Sequence, residues 1–157
     1  MPTYPAAATA VQGPLPYPPK PCDKATWPPG EWHDEPDVMA WTDEVTGLHC
    51  AILRQSRSGV LNGYVAVPPG SPLDGRDYDT IDTEVSCHGG LTYSNRSSEG
   101  LWWFGFDCHH LGDFAPGDKD RWDHDEIYCP VLYVRRQCAK LAAGLAAIAA
   151  ATGGDAD

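Results

Sequence analysis

The sequence predicts an α+β protein: a mainly antiparallel sheet packed against one C-terminal helix, with an extended Pro-rich N-terminal arm. Three observations carry this. Strand-like runs come first and a single helical run comes last, an order that favours antiparallel strands with a segregated helix over alternating βαβ units. Val134, Cys138, Leu141, Leu145 and Ile148 recur at spacings of four and three, drawing one apolar stripe along a helix. Ten of the fifteen prolines fall within residues 1–36.

At 157 residues the chain fits one domain, and a chain of this size buries roughly 70% of its extended surface, enough for a real core. We divide it into an extended or partly disordered arm (1–36), a single α+β domain (37–152) and a flexible tail (153–157). Within the arm, PLPYPPKPC (Pro14 to Cys22) reads as polyproline-like, and Trp27 and Trp32 suggest packing of its later part on the body. A short helix or turn is expected around Asp37 to Trp41. His49 to Gln55 and Leu61 to Pro68 read as two strands of a hairpin, with Gly59 in the connection. Pro68 to Asp82 is a long loop. Thr83 to Ser94 resumes strand character with Val85, Cys87, Leu91 and Tyr93 alternating, interrupted at Gly89-Gly90. NRSSEG is a turn, LWWFGFDC (Leu101 to Cys108) an aromatic strand, and an acidic loop follows it. Pro130 suits the first turn of the final helix, and Gly153-Gly154 ends it.

Charge narrows the partners. Twenty-two acidic residues against eleven basic give a net charge of −11. Binding of long nucleic acid needs Lys and Arg against phosphates and is not expected. A small phosphorylated ligand is compatible, with a divalent cation supplying the positive charge. The opening residues carry no signal-peptide pattern. The most apolar run, Leu141 to Ala151, is 11 residues, where crossing a bilayer takes about 20. We therefore expect a cytoplasmic protein without a membrane partner, its six cysteines reduced.

The densest chemistry is FGFDCHHLGD (Phe104 to Asp113). Asp107, His110 and Asp113 stand at i, i+3 and i+6, on one broad face if the segment turns helical. Carboxylate and neutral imidazole are ligands for zinc, manganese or iron, and the divalent ion expected is zinc, manganese or magnesium. Such a set leaves positions open for water or a phosphate oxygen. His88, in a predicted strand beside Gly89 and Gly90, is the fourth metal candidate or a general acid/base. The metal set is thus His88, Asp107, His110 and Asp113, with His88, Asp107 and His110 as catalytic candidates. Gly89 and Gly90 allow close approach of a ligand, Thr92 and Tyr93 offer hydroxyls, and Trp103 offers an aromatic wall for a base or sugar. The plainer alternatives are a solvated acidic loop, a hydrogen-bonded strand histidine and an aromatic core. Cys87-His88 with Cys108-His109-His110 is a further, sterically awkward zinc set; Cys108 is otherwise expected in the core. The acidic runs from Asp77 to Glu84 and from Asp118 to Glu126 lack the EF-hand order. P-loop, serine-hydrolase elbow and HExxH motifs are absent from the sequence.

GYVAVPPGSPLDGRDYD, EVSCHGGLTYS, WWFGFDCHHLGD and YVRRQCAKLAAGL together resemble a family of small, largely uncharacterised proteins of tailed phages. That family is marked by GYVxVP, HGGLTY and WWFGFDCxHxGD motifs, and the resemblance runs from Leu61 to Leu145. His109 stands where the family usually has Ala, which favours His110 over its neighbour, and Ser71 stands where it often has His. The resemblance implies the cytoplasm of an infected bacterial host and an accessory role, such as countering host defence or altering nucleotide metabolism. It implies no mechanism.

Three functions follow from these residues. The favoured one is a metal-dependent hydrolase of a small nucleotide or cyclic-nucleotide phosphodiester. The second is a binding protein that sequesters such a nucleotide signal intact. The third is a structural or host-protein interaction module working through the Pro-rich arm or the terminal helix, which could also support a homo-oligomer.

Overall fold

The computed structural model of the chain describes residues 10–118 and 125–154. Residues 1–9 of the expected arm, 119–124 of the acidic loop and 155–157 of the expected tail lie outside the described residues.

Five antiparallel strands and one long helix form the body. The strands are β1 (Val38–Thr42), β2 (His49–Arg54), β3 (Leu61–Val67), β4 (Tyr93–Arg96) and β5 (Trp102–Asp107). Their order in the sheet is β1-β2-β3-β5-β4. The β2–β3 hairpin is the one expected, with Gly59 at φ +79 in its turn, a conformation that glycine adopts without a Cβ penalty. The chain then leaves β3, crosses the long loop from Pro68 to Thr92, pairs β4 at the edge and returns along β5.

Two local expectations are corrected. Val38–Thr42 is an edge strand paired with β2 rather than a helix or turn. Its Val, Trp and Thr suit a strand, and all five of its residues pair with β2. The strand expected from Thr83 begins only at Tyr93: Asp82–Glu84 is a 3-10 turn, and Val85 to Thr92 is irregular. Gly89 and Gly90 both take positive φ, +70 and +83, which no strand accommodates. His88 therefore stands in a turn.

The helix, α1 (Val131–Gly154), runs through the two terminal glycines. Pro130 lies just before it, and its carbonyl accepts the Val134 N–H. The first-turn N–H of Val131 donates to a carboxylate oxygen of Glu35 at 2.7 Å, a cap supplied from the arm. The predicted stripe packs on β2 and β3: Val134, Cys138, Leu141 and Leu145 are fully buried, and Ile148 sits at the edge.

Both faces of the sheet are covered. Ile52, Val65, Phe104 and Phe106 meet the helix. Ala51, Leu53, Tyr64, Ala66 and Trp103 form a second cluster on the opposite face, against Leu15 and Tyr93. The arm lies along this body: Val11 bridges Ala40, Tyr17 stacks edge-on to Tyr64, and Trp27 and Trp32 are buried. All six cysteines are free thiols. Among the described residues no helix is long and apolar enough to cross a membrane.

Candidate metal centre

One end of the sheet gathers the chemistry. The register places Asp107 at the end of β5 opposite Asn62 at the start of β3, with Tyr93 starting β4 alongside. The turn carrying His88, the segment after β5 and the approach to α1 all meet there.

His88 is held by both ring nitrogens. Its Nδ1 lies 2.7 Å from the Tyr133 hydroxyl, and its Nε2 lies 2.9 and 3.0 Å from the two carboxylate oxygens of Asp113. Asp113 is 8% exposed and also accepts the His110 backbone N–H at 2.9 Å. A tight turn places it: its own N–H donates to the His110 carbonyl, Gly112 at φ +94 reverses the chain, and a bridge to Ile127 ties the segment down. Burial works to raise its pKa, but the bonds from His88, the His110 N–H and Cys129, with the charge attraction of His88, outweigh it. The net shift is downward, so Asp113 is an anion at neutral pH.

His110 lies beside this pair. Its Nδ1 is 3.4 Å from an Asp113 oxygen and 3.6 Å from an Asp107 oxygen, outside hydrogen-bond geometry with either, and that buried atom has no hydrogen-bond partner. Gly89 explains the ring's position, because a Cβ there would stand 2.3 Å from His110 Cε1. The role foreseen for Gly89, room for close approach, is filled by this histidine. Gly90 instead faces Asp82, whose carboxylate accepts the Leu91 N–H.

Two buried thiols complete the cluster. Cys129 Sγ lies 3.8 Å from His88 Nε2 and 3.6 Å from Asp113 Oδ1. Cys108 meets Cys129; that hydrogen bond and burial hold the Cys108 pKa far above the ordinary thiol range while no ion is bound. Among the described residues, two overlapping sets of side chains could hold a metal ion, His88 with His110 and Asp113, and His88 with Cys108 and Cys129, each with its ligand atoms mutually within 4.8 Å.

Of the expected metal set, His88, His110 and Asp113 come together, whereas Asp107 belongs to neither group. Its carboxylate is taken by Thr92 Oγ1 at 2.9 Å and the His109 N–H at 3.0 Å. His109 approaches Asp118. Thr92 and Tyr93, with Asn62, Tyr64, Asp107 and His109, line a cleft of about 390 Å³ adjoining the cluster. Trp103 is not part of its wall: it is completely buried in the second core under the arm.

Cys129 and Tyr133 were not foreseen. Cys129 is separated by an acidic loop from any motif, and a lone cysteine before a helix carries no metal spacing. Tyr133 lies in the first turn of α1 and belongs to no motif.

No family model, curated protein or solved structure matches this chain.

Proposed function

We propose that the protein is a metal-dependent hydrolase of a small nucleotide or cyclic-nucleotide phosphodiester, working at the cluster around His88. The observation that carries the reading is the convergence of ring nitrogens from His88 and His110 with the Asp113 carboxylate, within 4.8 Å, on a side where His110 remains about one-third exposed. An ion there would polarise a phosphoryl oxygen and lower the pKa of a bound water. His88, His110 and Asp113 would hold the ion, with the exposed side of His110 open to substrate. Asp107, fixed by Thr92 and the His109 N–H, would orient the substrate in this reading.

The adjoining cleft suits the rest of such a ligand. Its size is that of small-molecule sites, and the rings of Tyr64 and Tyr93 with the Asn62 amide offer stacking and hydrogen bonding to a base or sugar. The net charge of −11 disfavours long nucleic acid and leaves the cation as the source of positive charge. The resemblance to the tailed-phage family would set this activity in an infected bacterial host, where it would remove a nucleotide defence signal.

The test is turnover of a panel of nucleoside phosphates and cyclic dinucleotides by purified protein, with and without chelator, followed by product analysis. Metal-dependent products that disappear in Asp113→Asn support the reading. A metal-loaded protein that returns every substrate intact overturns it, and tight retention of one intact nucleotide would point to sequestration.

A further inference from the structure

We infer that the ion is zinc and that three protein ligands hold it: Cys108 Sγ, Cys129 Sγ and His88 Nε2, with the fourth position turned toward Asp113 and His110. This rests on the site being a metal centre, names the ion, and takes the thiol set rather than the His88–His110–Asp113 set as its ligands; it does not depend on the reaction being hydrolysis.

The distances come first. A tetrahedral zinc with ordinary Zn–S and Zn–N bonds sets neighbouring ligand atoms about 3.5–3.8 Å apart. Cys129 Sγ and His88 Nε2 already stand at 3.8 Å, and Cys108 Sγ lies within 4.8 Å of Cys129 Sγ and of a His88 ring nitrogen. The three come from separate parts of the chain, the Gly89-Gly90 turn, the end of β5 and the approach to α1, so their meeting is a product of the fold rather than of sequence neighbours. Both thiols are buried, Cys108 at 2% and Cys129 at 6% exposed, beside a polar histidine–aspartate pair and not within an all-apolar wall.

Ligand chemistry then selects the ion. Thiolates with an imidazole favour zinc over manganese or magnesium, which prefer oxygen. On binding, each thiol releases its proton to solvent. His88 must present the Nε2 lone pair, so its proton moves to Nδ1 and is donated to the Tyr133 oxygen, 2.7 Å away. Tyr133 thereby becomes the outer partner that fixes the tautomer of a ligating histidine. With Nε2 on the ion, Asp113 would lose its bond to that nitrogen and be free to accept a hydrogen bond from a water in the fourth position. The unpartnered Nδ1 of His110, on the same side, is the second group that can take or return a proton there.

The experiment loads chelator-stripped full-length protein with Co²⁺ and records its absorption, and measures zinc-edge X-ray absorption of the zinc form. The expected result is an intense near-ultraviolet thiolate-to-cobalt band and two sulfur neighbours per zinc. The band should be lost in Cys108→Ser/Cys129→Ser and kept in Cys87→Ser. Cobalt bound without that band, zinc with only nitrogen and oxygen neighbours, or no uptake of either ion overturns the inference. The wild-type spectra decide this even if the double variant does not fold. A protein with the band but no phosphoester turnover defeats only the hydrolase reading. Metal-dependent turnover without the band defeats only the thiolate ligands.

Discussion

His88 is gripped between Tyr133 and Asp113, so its ring has one orientation and its tautomer follows from what its partners donate. Removing the Tyr133 hydroxyl keeps the ring but loosens that orientation. Tyr133→Phe should weaken zinc affinity about 10–100-fold, the usual effect of losing an outer partner of a metal ligand, while thermal stability changes little because Tyr133 is only half-buried. Competition with a chromophoric chelator measures the first and a melting curve the second. Asp113 makes a pH prediction. Its folded pKa lies below the unfolded value, so the stability it contributes is complete above the unfolded value of about 3.9 and is lost as pH falls through the lower folded one. In chelator, the stability gap between the protein and Asp113→Asn should be constant near neutrality and narrow only below about pH 4. Acid titration followed by tryptophan fluorescence reads this; a gap already closing near pH 6 would contradict it.

Between β3 and β5 two glycines each receive a ring from across the ladder. Gly63 pairs with Phe106 and Tyr64 with Gly105. A Cβ at Gly63 would stand 2.3 Å from the Phe106 ring and 2.9 Å from Cys138 Sγ, and one at Gly105 would stand 2.6 Å from the Tyr64 ring. The exchange lets Phe106 lie flat under α1 while Tyr64 lies flat under the arm. Gly63→Ala should therefore destabilise the helix–sheet contact by about 1–3 kcal/mol, the range for overpacking a filled core, and urea unfolding measures it. The strands β2, β3 and β5 and the stripe of α1 were legible because alternation and helical periodicity reflect a face that must be buried. The span from Thr83 to Ser94 misled because its apolar residues alternate by chance while Gly89 and Gly90 impose a turn. Asp107, His110 and Asp113 were legible as chemistry but not as geometry, since a turn rather than a helix follows β5 and leaves the Asp107 carboxylate bonded to Thr92 and the His109 N–H, beside His110 but in neither ligand set.

Across the whole molecule, the arm is joined to the body by buried charge. Arg54, completely buried on β2, reaches Asp37 at 2.7 Å, Glu35 at 3.3 Å, the Tyr128 hydroxyl at 2.7 Å and the Gly59 carbonyl at 2.8 Å. Glu35 in turn caps α1 at Val131. One network thus ties the arm, the β2–β3 hairpin and the start of the helix, next to the segment that carries Cys129. Arg54→Ala removes the guanidinium from among buried acceptors and should cost about 3–5 kcal/mol, as for breaking a buried pair from one side. Denaturant unfolding checks the magnitude, and a loss below about 1 kcal/mol, typical of exposed pairs, would contradict the buried reading.

The sequence by itself determined the α+β class, the hairpin, the aromatic strand and the terminal helix, because each depends on periodicity over a few neighbouring residues. It also singled out His88, His110 and Asp113 as residue types capable of holding an ion. Only the tertiary structure decided which of them meet, since Cys108, Cys129 and Tyr133 join His88 through sheet order and helix placement, contacts between segments far apart in the chain. It also decided that the arm is part of the body: Trp27, Trp32 and Glu35 bury themselves against partners that no local pattern reveals.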